Sequence, residues 1–201
     1  MLKYSLLLVW MLAATAGFSQ YTWKQVKDKD GIKVFTSDLA NSKFKAIKVE
    51  CTLNGTYTKL VHELTDVEHL SDWVYNCKKT QMIKKISNYD FIYYSETHLP
   101  WPLSNRDVTL HFRVKTDSVP KFLTITGTNE NGVYPEIPAK VRVPHYKATW
   151  KVTMPTPGTI HVVYIVEVDP GGSIPAWLSN MFADKGPYET FVNLGKRMMS
   201  R

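Results

Sequence analysis

This chain of 201 residues has only two cysteines, no low-complexity tract and no internal repeat, and each absence removes a class of architecture. Cys51 and Cys77 are too few for a disulfide framework, and neither has a Cys or His neighbour at zinc-ligand spacing. Both are expected as free thiols, with Cys51 on the apolar face of a strand; a single bridge is the alternative that export would permit. No Gly/Ser-rich linker divides the sequence, so its length implies one domain. Catalytic signatures are missing too. There is no Gly-x-Ser-x-Gly nucleophile elbow. His62-Glu63 lacks the second histidine of a zinc-binding helix, and His69 stands too far along. Gly171-Gly172 suits a turn from sheet to helix better than a phosphate-cradling loop. His98, His111, His145 and His161 are scattered over strands and loops. No catalytic residue, cofactor or metal is expected.

The one long apolar run lies at the start. Lys3 supplies a short positive region, residues 4–14 are almost wholly apolar, and Ala14-Thr15-Ala16-Gly17-Phe18-Ser19 offers small residues for cleavage. The run falls short of the roughly 20 residues a membrane span needs. Residues 1–19 therefore read as a signal peptide and 20–201 as the mature domain, periplasmic or secreted, with an uncleaved anchor as the alternative. No Cys follows the run, which argues against lipoprotein attachment. Loss of Lys3 lowers the formal charge from +7 to +6. A basic surface favours anionic partners such as phospholipid headgroups, so transient membrane contact is expected. The basic residues are scattered, however, and the densest group, Lys78-Lys79 with Lys84-Lys85, reads as a solvated face. Nucleic-acid binding fits an exported protein poorly and is not expected.

Most of the mature chain alternates at the strand period. Residues 23–26 and 32–35 flank the turn Asp30-Gly31. Ile47, Val49, Cys51 and Leu53 then alternate with Lys48, Glu50 and Thr52. The period turns helical at Tyr57, Leu60, Val61 and Leu64, which predicts a helix over about residues 58–74, broken near Asp66. Strands are expected over 80–86, 91–97, 108–115 and 122–128, followed by a long loop over 129–138. Residues 146–154 and 159–168 should form an antiparallel hairpin. After Asp169-Pro170-Gly171-Gly172-Ser173, a stripe of Ile174, Trp177, Leu178, Met181 and Phe182 opens a helix. Gly186-Pro187 kinks it before Phe191, Val192, Met198 and Met199. Its span of about 26 residues would run roughly 39 Å if straight. The order of elements implies an α+β fold, with a mostly antiparallel sheet covered on one face by the last helix.

The most informative stretch is Pro100-Trp101-Pro102-Leu103-Ser104-Asn105-Arg106-Asp107. Two prolines stiffen it. Trp101 and Leu103 are too apolar for an ordinary solvated turn. The strand that follows sets Val108, Leu110, Phe112 and Val114 on one face and Thr109, His111 and Arg113 on the other.

Four landmarks, in order, resemble the StAR-related lipid-transfer (START) domain family. Asp30-Gly31-Ile32-Lys33-Val34-Phe35 looks like an early strand of that family, and residues 100–107 look like its Pro-Trp-Pro-Leu loop. Val141-Arg142-Val143 with Trp150 looks like the start of its late hairpin. Asp169-Pro170-Gly171-Gly172-Ser173-Ile174-Pro175-Ala176-Trp177-Leu178 looks like the start of its last helix. The second and fourth are specific, and the resemblance covers nearly all of the mature chain. It implies a helix-grip fold: about nine curved antiparallel strands wrapped on a long C-terminal helix, enclosing an apolar cavity. It also implies a monomer that binds and transfers one lipid or similar hydrophobic molecule without catalysis. The family's N-terminal helix would be short or absent here.

On that fold, residues 101–103, residues 132–138 and the first turns of the last helix are expected to gate the cavity. The expected ligand-binding residues are Trp101, Leu103, Leu110, Phe112, Tyr134, Trp150, Tyr164, Trp177 and Met181, with Tyr146 and Val162 as further lining candidates. Candidate polar anchors are Tyr93, Tyr94, Glu96, Arg106 and Arg113. A Glu96–Arg pair would satisfy a buried charge, and adjacent Arg106 and Asp107 are expected to brace the loop by pairing. The alternative function is an enzyme acting on an apolar substrate with Glu96, a histidine and tyrosines, an analogy of fold only.

Overall fold

Asp30 and Gly31 both take positive φ, 53° and 74°. This is the two-residue hairpin geometry whose twist matches its flanking strands. It joins β1 (Lys24–Lys29) to β2 (Ile32–Asp38). The computed structural model describes residues 21–200 apart from 41, 43, 119–120 and 175–180. In β3 (Lys45–Asn54), alternation buries Ile47, Val49, Cys51 and Leu53 on one face. Burial pushes the Cys51 thiol up to about 12, so it stays protonated and inert. Cys51 and Cys77 are both free thiols.

The switch to helical period produces α1 (Tyr57–Thr65), whose N-cap Thr56 accepts from the Lys59 N–H at 3.2 Å. The expected break falls at Asp66. There α1 stops, and a 3-10 turn over Val67–Asp72 brings Leu70 and then Trp73 into the core.

The remaining strands are β4 (Cys77–Lys85), β5 (Asp90–Thr97), β6 (Arg106–Ser118), β7 (Lys121–Asn129), β8 (Val141–Arg142), β9 (His145–Thr156) and β10 (Thr159–Asp169). In space the order is β1-β2-β3-β10-β9-β7-β6-β5-β4. Every neighbour on this path is antiparallel; the two-residue β8 adds to β6 in parallel. The curved nine-stranded sheet is the one expected. Its two edges are β1 and β4, and both are rich in lysine: Lys24, Lys27 and Lys29 on one, Lys78, Lys79, Lys84 and Lys85 on the other. Charge on an edge strand blocks pairing with a second sheet. That gives the densest basic clusters of the sequence a structural reason.

A π-helical turn over Met181–Lys185 runs into α2 (Gly186–Met199). Gly186-Pro187 therefore marks where the wide turn tightens into an α-helix, and Pro187 sits in the first turn, where a missing N–H costs little. The face of α2 carrying Tyr188, Phe191, Leu194 and Met198 is buried in the grip of the sheet. Polar contacts fix the helix along its length. Tyr188 donates to Asp30, the Tyr75 N–H donates to Thr190 Oγ1 at 3.1 Å, and Asn193 Nδ2 donates to the Trp73 carbonyl at 3.1 Å. Arg197 Nε reaches Glu63 Oε2 at 2.9 Å, and Lys59 Nζ lies 2.9 Å from Glu63 Oε1.

Candidate functional site

A cavity of about 390 Å³ lies between the inner face of the sheet and the terminal helix. Strand parity decides its wall. β6 presents Val108 and Phe112, β9 presents Tyr146 and Trp150, and β10 presents Tyr164, Val166 and Val168. Leu70 and Trp73 close one side, and Phe182 and Phe191 close the helix side. The aromatic rings pack on one another: Trp150 lies 5.2 Å from Phe191, stacked, and 4.6 Å from Tyr164. Among the described residues no carboxylate and no histidine lines the cavity. None of their His, Cys, Asp and Glu side chains gather in a group of three that could hold a metal.

Of the expected ligand-binding residues, Phe112, Trp150 and Tyr164 line this wall, as do Tyr146 and the candidate anchors Tyr93 and Arg106. Leu110 does not line it. It is buried beside Val108 and Val143 in a small cluster of its own. Val162 is completely buried in the main core rather than on the wall. Trp177 and the side chain of Met181 lie outside the described residues.

Trp101, Leu103 and Tyr134 also leave the expected wall. The loop before β6 is tied to itself, with the Leu103 N–H donating to the Pro100 carbonyl at 3.1 Å and the Leu99 N–H to Asn105 Oδ1 at 3.1 Å. Its tip stands in solvent, leaving Trp101 93% exposed. Tyr134 packs on Tyr94 with ring centroids 4.7 Å apart, on the outer face of the sheet. The physical reason is the strand period. Tyr93 and Thr97 face the cavity, so Tyr94 and Glu96 must face away.

The outer face of β5 and β6 is nevertheless dry around Tyr94, Glu96 and Asp107, because the chain between β7 and β8 folds over it there. Glu96, 3% exposed, is bound by Lys140 and by Asn105 Nδ2 at 2.7 Å. Glu96 therefore pairs with a lysine, not an arginine, and does so outside the cavity. Lys140 also donates to Tyr94 Oη at 3.1 Å. Asp107 holds Arg142 through two bonds, Nε to Oδ1 at 2.9 Å and Nη2 to Oδ2 at 3.1 Å. Arg113 also lies on the outer face, where its Nη2 is 2.8 Å from His111 Nδ1 and its Nε is 3.8 Å from Asp90. None of Tyr94, Glu96 and Arg113 can touch a molecule in the cavity. The carboxylate of the enzyme alternative, Glu96, thus stands outside the cavity, and none of the described histidines lines it.

Arg106 and Asp107 do not pair with each other, since adjacent strand residues point to opposite faces. Arg106 faces inward, 4% exposed, with no carboxylate partner among the described residues. Its guanidinium donates instead to three main-chain carbonyls: Ser104 at 2.6 Å, Pro170 at 3.1 Å and Gly171 at 3.1 Å. Burial holds its pKa below the usual arginine value. Arg106 thus clasps the Pro-Trp-Pro-Leu loop to the turn after β10, joining the two most specific motifs of the sequence. Gly171 is required in that turn. Its φ is +68°, and a Cβ there would lie 3.1 Å from Val141 Cγ1 and 3.2 Å from the Arg142 carbonyl oxygen.

Burial alone would raise the Glu63 and Glu96 carboxyls, but hydrogen bonds from Lys59 and Arg197, and from Lys140 and Asn105, bring both below the ordinary value of 4.5. A depressed folded-state pKa contributes stability above the unfolded pKa and loses it as pH falls through the folded one. Thermal stability should therefore be level through neutral pH and fall below about pH 4.5, the unfolded value. Melting curves from pH 6 to about pH 3 should show a shallower acid slope in Glu63→Gln and Glu96→Gln proteins. An unchanged slope in both variants would remove these two carboxylates as its source.

The sequence reading did not assign several wall residues to the cavity: Ile47, Leu70, Trp73, Val166 and Phe191. Their apolar periodicity was visible, but it marks burial and does not distinguish a filled core from the wall of a void.

Comparison with known proteins accords with this geometry. A profile of the START domain family matches residues 10–199. An uncharacterized protein of Pseudomonas aeruginosa is 33% identical over 173 residues, which cover 86% of this chain and 84% of that protein. The phosphatidylcholine transfer protein of Mus musculus is 24% identical over 168 residues, covering 82% of this chain and 78% of that one. The crystal structure of a STAR-related lipid transfer protein from Xanthomonas axonopodis superposes with a TM-score of 0.80 at 27% identity, covering 89% of this chain and 99% of that one.

Proposed function

The chain belongs to the START domain family, and from this and the cavity we propose that it binds one lipid or similar hydrophobic molecule, shields it from water and transfers it between membranes. The observation that carries the reading is the cavity itself. Its volume of about 390 Å³ lies in the range of pockets that take one small molecule, roughly 300–1,000 Å³. Its wall is mostly apolar, so a ligand gains about 25 cal/mol for each Å² of apolar surface it buries. Two similar proteins named for lipid transfer support the same reading.

In this reading, residues 1–19 direct export and are removed, and the mature protein works as a non-catalytic monomer in the periplasm or outside the cell. Passage of the ligand involves displacement of the Met181–Lys185 turn, because α2 beyond it is held by Asn193 and Arg197. Trp101, exposed between two prolines at the tip of its loop, makes transient contact with the bilayer surface, where indole rings are favoured.

Native mass spectrometry of the purified protein after exposure to a lipid extract tests the proposal. The expected result is one hydrophobic molecule per chain, lost in Val108→Trp, which fills the cavity from the sheet side. A wild-type protein that takes up nothing, or a Val108→Trp protein that binds as well as wild type, would sink it.

A further inference from the structure

Resting on that reading, we infer that the cargo carries an uncharged polar group, a hydroxyl or a carbonyl, and that this group is seated on the hydroxyls of Tyr93, Tyr146 and Tyr164. These three tyrosines line a cavity whose wall is otherwise mostly hydrocarbon. Tyr146 and Tyr164 come from paired strands but are not directly opposite: Tyr146 faces Val168 and Tyr164 faces Trp150. The Ala148–Val166 pair lies between them in the register, and their hydroxyl oxygens meet at 3.3 Å. Tyr93 reaches the same region from β5, packing with Tyr146 against Val108, Leu110 and Val143.

The hydrogen-bond inventory of the group is incomplete within the protein. One proton of the Tyr146–Tyr164 pair lies between the two oxygens, so the pair keeps one O–H donor and spare acceptor capacity. The Tyr93 hydroxyl has no hydrogen-bond partner among the described residues and brings a further donor and acceptor. Burial pushes all three phenols above their ordinary value, so they remain neutral donors. Such a set suits a hydroxyl, which donates and accepts, or a carbonyl, which accepts.

The charges on the wall point the same way. A buried ionic headgroup needs a partner of opposite sign. The described lining offers no carboxylate for a cationic group. Its cations are Lys45, which pairs with Asp38 at 3.2 Å with about half of its side chain in solvent, and Arg106. Arg106 already serves three carbonyls and keeps two N–H bonds without a protein partner among the described residues. An acid is therefore the decisive competitor in any test. The cavity, at about 390 Å³, also suits a compact molecule better than a phospholipid with two long acyl chains.

Three probes sharing one sixteen-carbon chain separate the possibilities: hexadecanol, hexadecanoate and hexadecylphosphocholine. They are offered in competition to the full mature protein and counted by native mass spectrometry. Hexadecanol should be retained over both charged probes by roughly tenfold, the scale of one buried hydrogen bond left unmade. Tyr146→Phe with Tyr164→Phe should abolish that preference. Tyr93→Phe alone removes a hydroxyl with no partner among the described residues, so it should weaken alcohol binding with an unchanged melting temperature. Retention of hexadecanoate or hexadecylphosphocholine over the alcohol, or an alcohol preference that survives all three substitutions, overturns the inference and leaves the carrier reading intact. Failure to bind any of the three probes overturns the carrier reading and this inference with it.

Discussion

Phe191→Ala should lower the melting temperature by roughly 6–20 °C, the product of about 3–5 kcal/mol for a buried phenylalanine and about 2–4 °C per kcal/mol for a domain of this size. Phe191 is 1% exposed and sits where the terminal helix meets the sheet. Its ring stacks on Trp150 at 5.2 Å and lies 5.6 Å from Tyr164. Truncation removes those contacts on a helix whose other buried residues, Tyr188, Leu194 and Met198, lie one to two turns away and cannot move into the space. Phe191→Leu keeps most of the volume and should recover more than half of the loss. Differential scanning calorimetry of the ligand-free protein decides the matter. A shift under about 2 °C, less than 1 kcal/mol here, would mean that this ring does not anchor the helix.

Arg106→Ala should be nearly as damaging for a different reason. It removes the donor from three main-chain carbonyls, and hydrogen bonds to a charged group contribute about 1.5–3 kcal/mol each. Relief of the desolvated charge offsets part of this, so a net loss of about 3 kcal/mol is expected. Arg106→Lys should recover little, because an ammonium is a point donor and cannot fork to carbonyls on two separate segments. The local signature is more telling than the global one. Amide hydrogen exchange should speed up together in residues 100–105 and 169–174, which Arg106 joins, and stay unchanged in β1 and β2. If only one of the two segments loosens, Arg106 is not the clasp between them.

Much of this fold could be read directly from residue order. Asp30-Gly31 gave the first hairpin because two consecutive residues with positive φ suit that pair and few others. Alternation gave β3, β9 and β10, and the change of period at Tyr57 gave α1 with its break at Asp66. The inward placement of Phe112, Trp150 and Tyr164 followed from the same alternation once the motifs suggested the fold. Tyr94, Glu96 and Tyr134 were misassigned because β5 is covered on both faces. Ile92 and Tyr94 are as buried as Phe91, so polarity no longer tells inside from outside. The chain over residues 130–140 supplies that cover, and it is far from β5 in sequence. The apolar loop at Trp101 misled in the opposite direction, since an exposed indole and a buried one look alike in a sequence.

Local chemistry, then, determined the elements and their order, and four motifs carried the resemblance to the family. Periodicity and turn residues act over a few neighbours and need no knowledge of what packs above them. Only the tertiary structure decided which face of each strand meets the cavity, that Arg106 binds carbonyls rather than Asp107, and that three tyrosines from β5, β9 and β10 line one cavity. Those outcomes depend on how the sheet curves and on which distant segment covers each face, and both are set by packing between parts of the chain far apart in sequence, as in the Lys140–Tyr94 bond at a separation of 46 and the Arg106–Pro170 bond at a separation of 64.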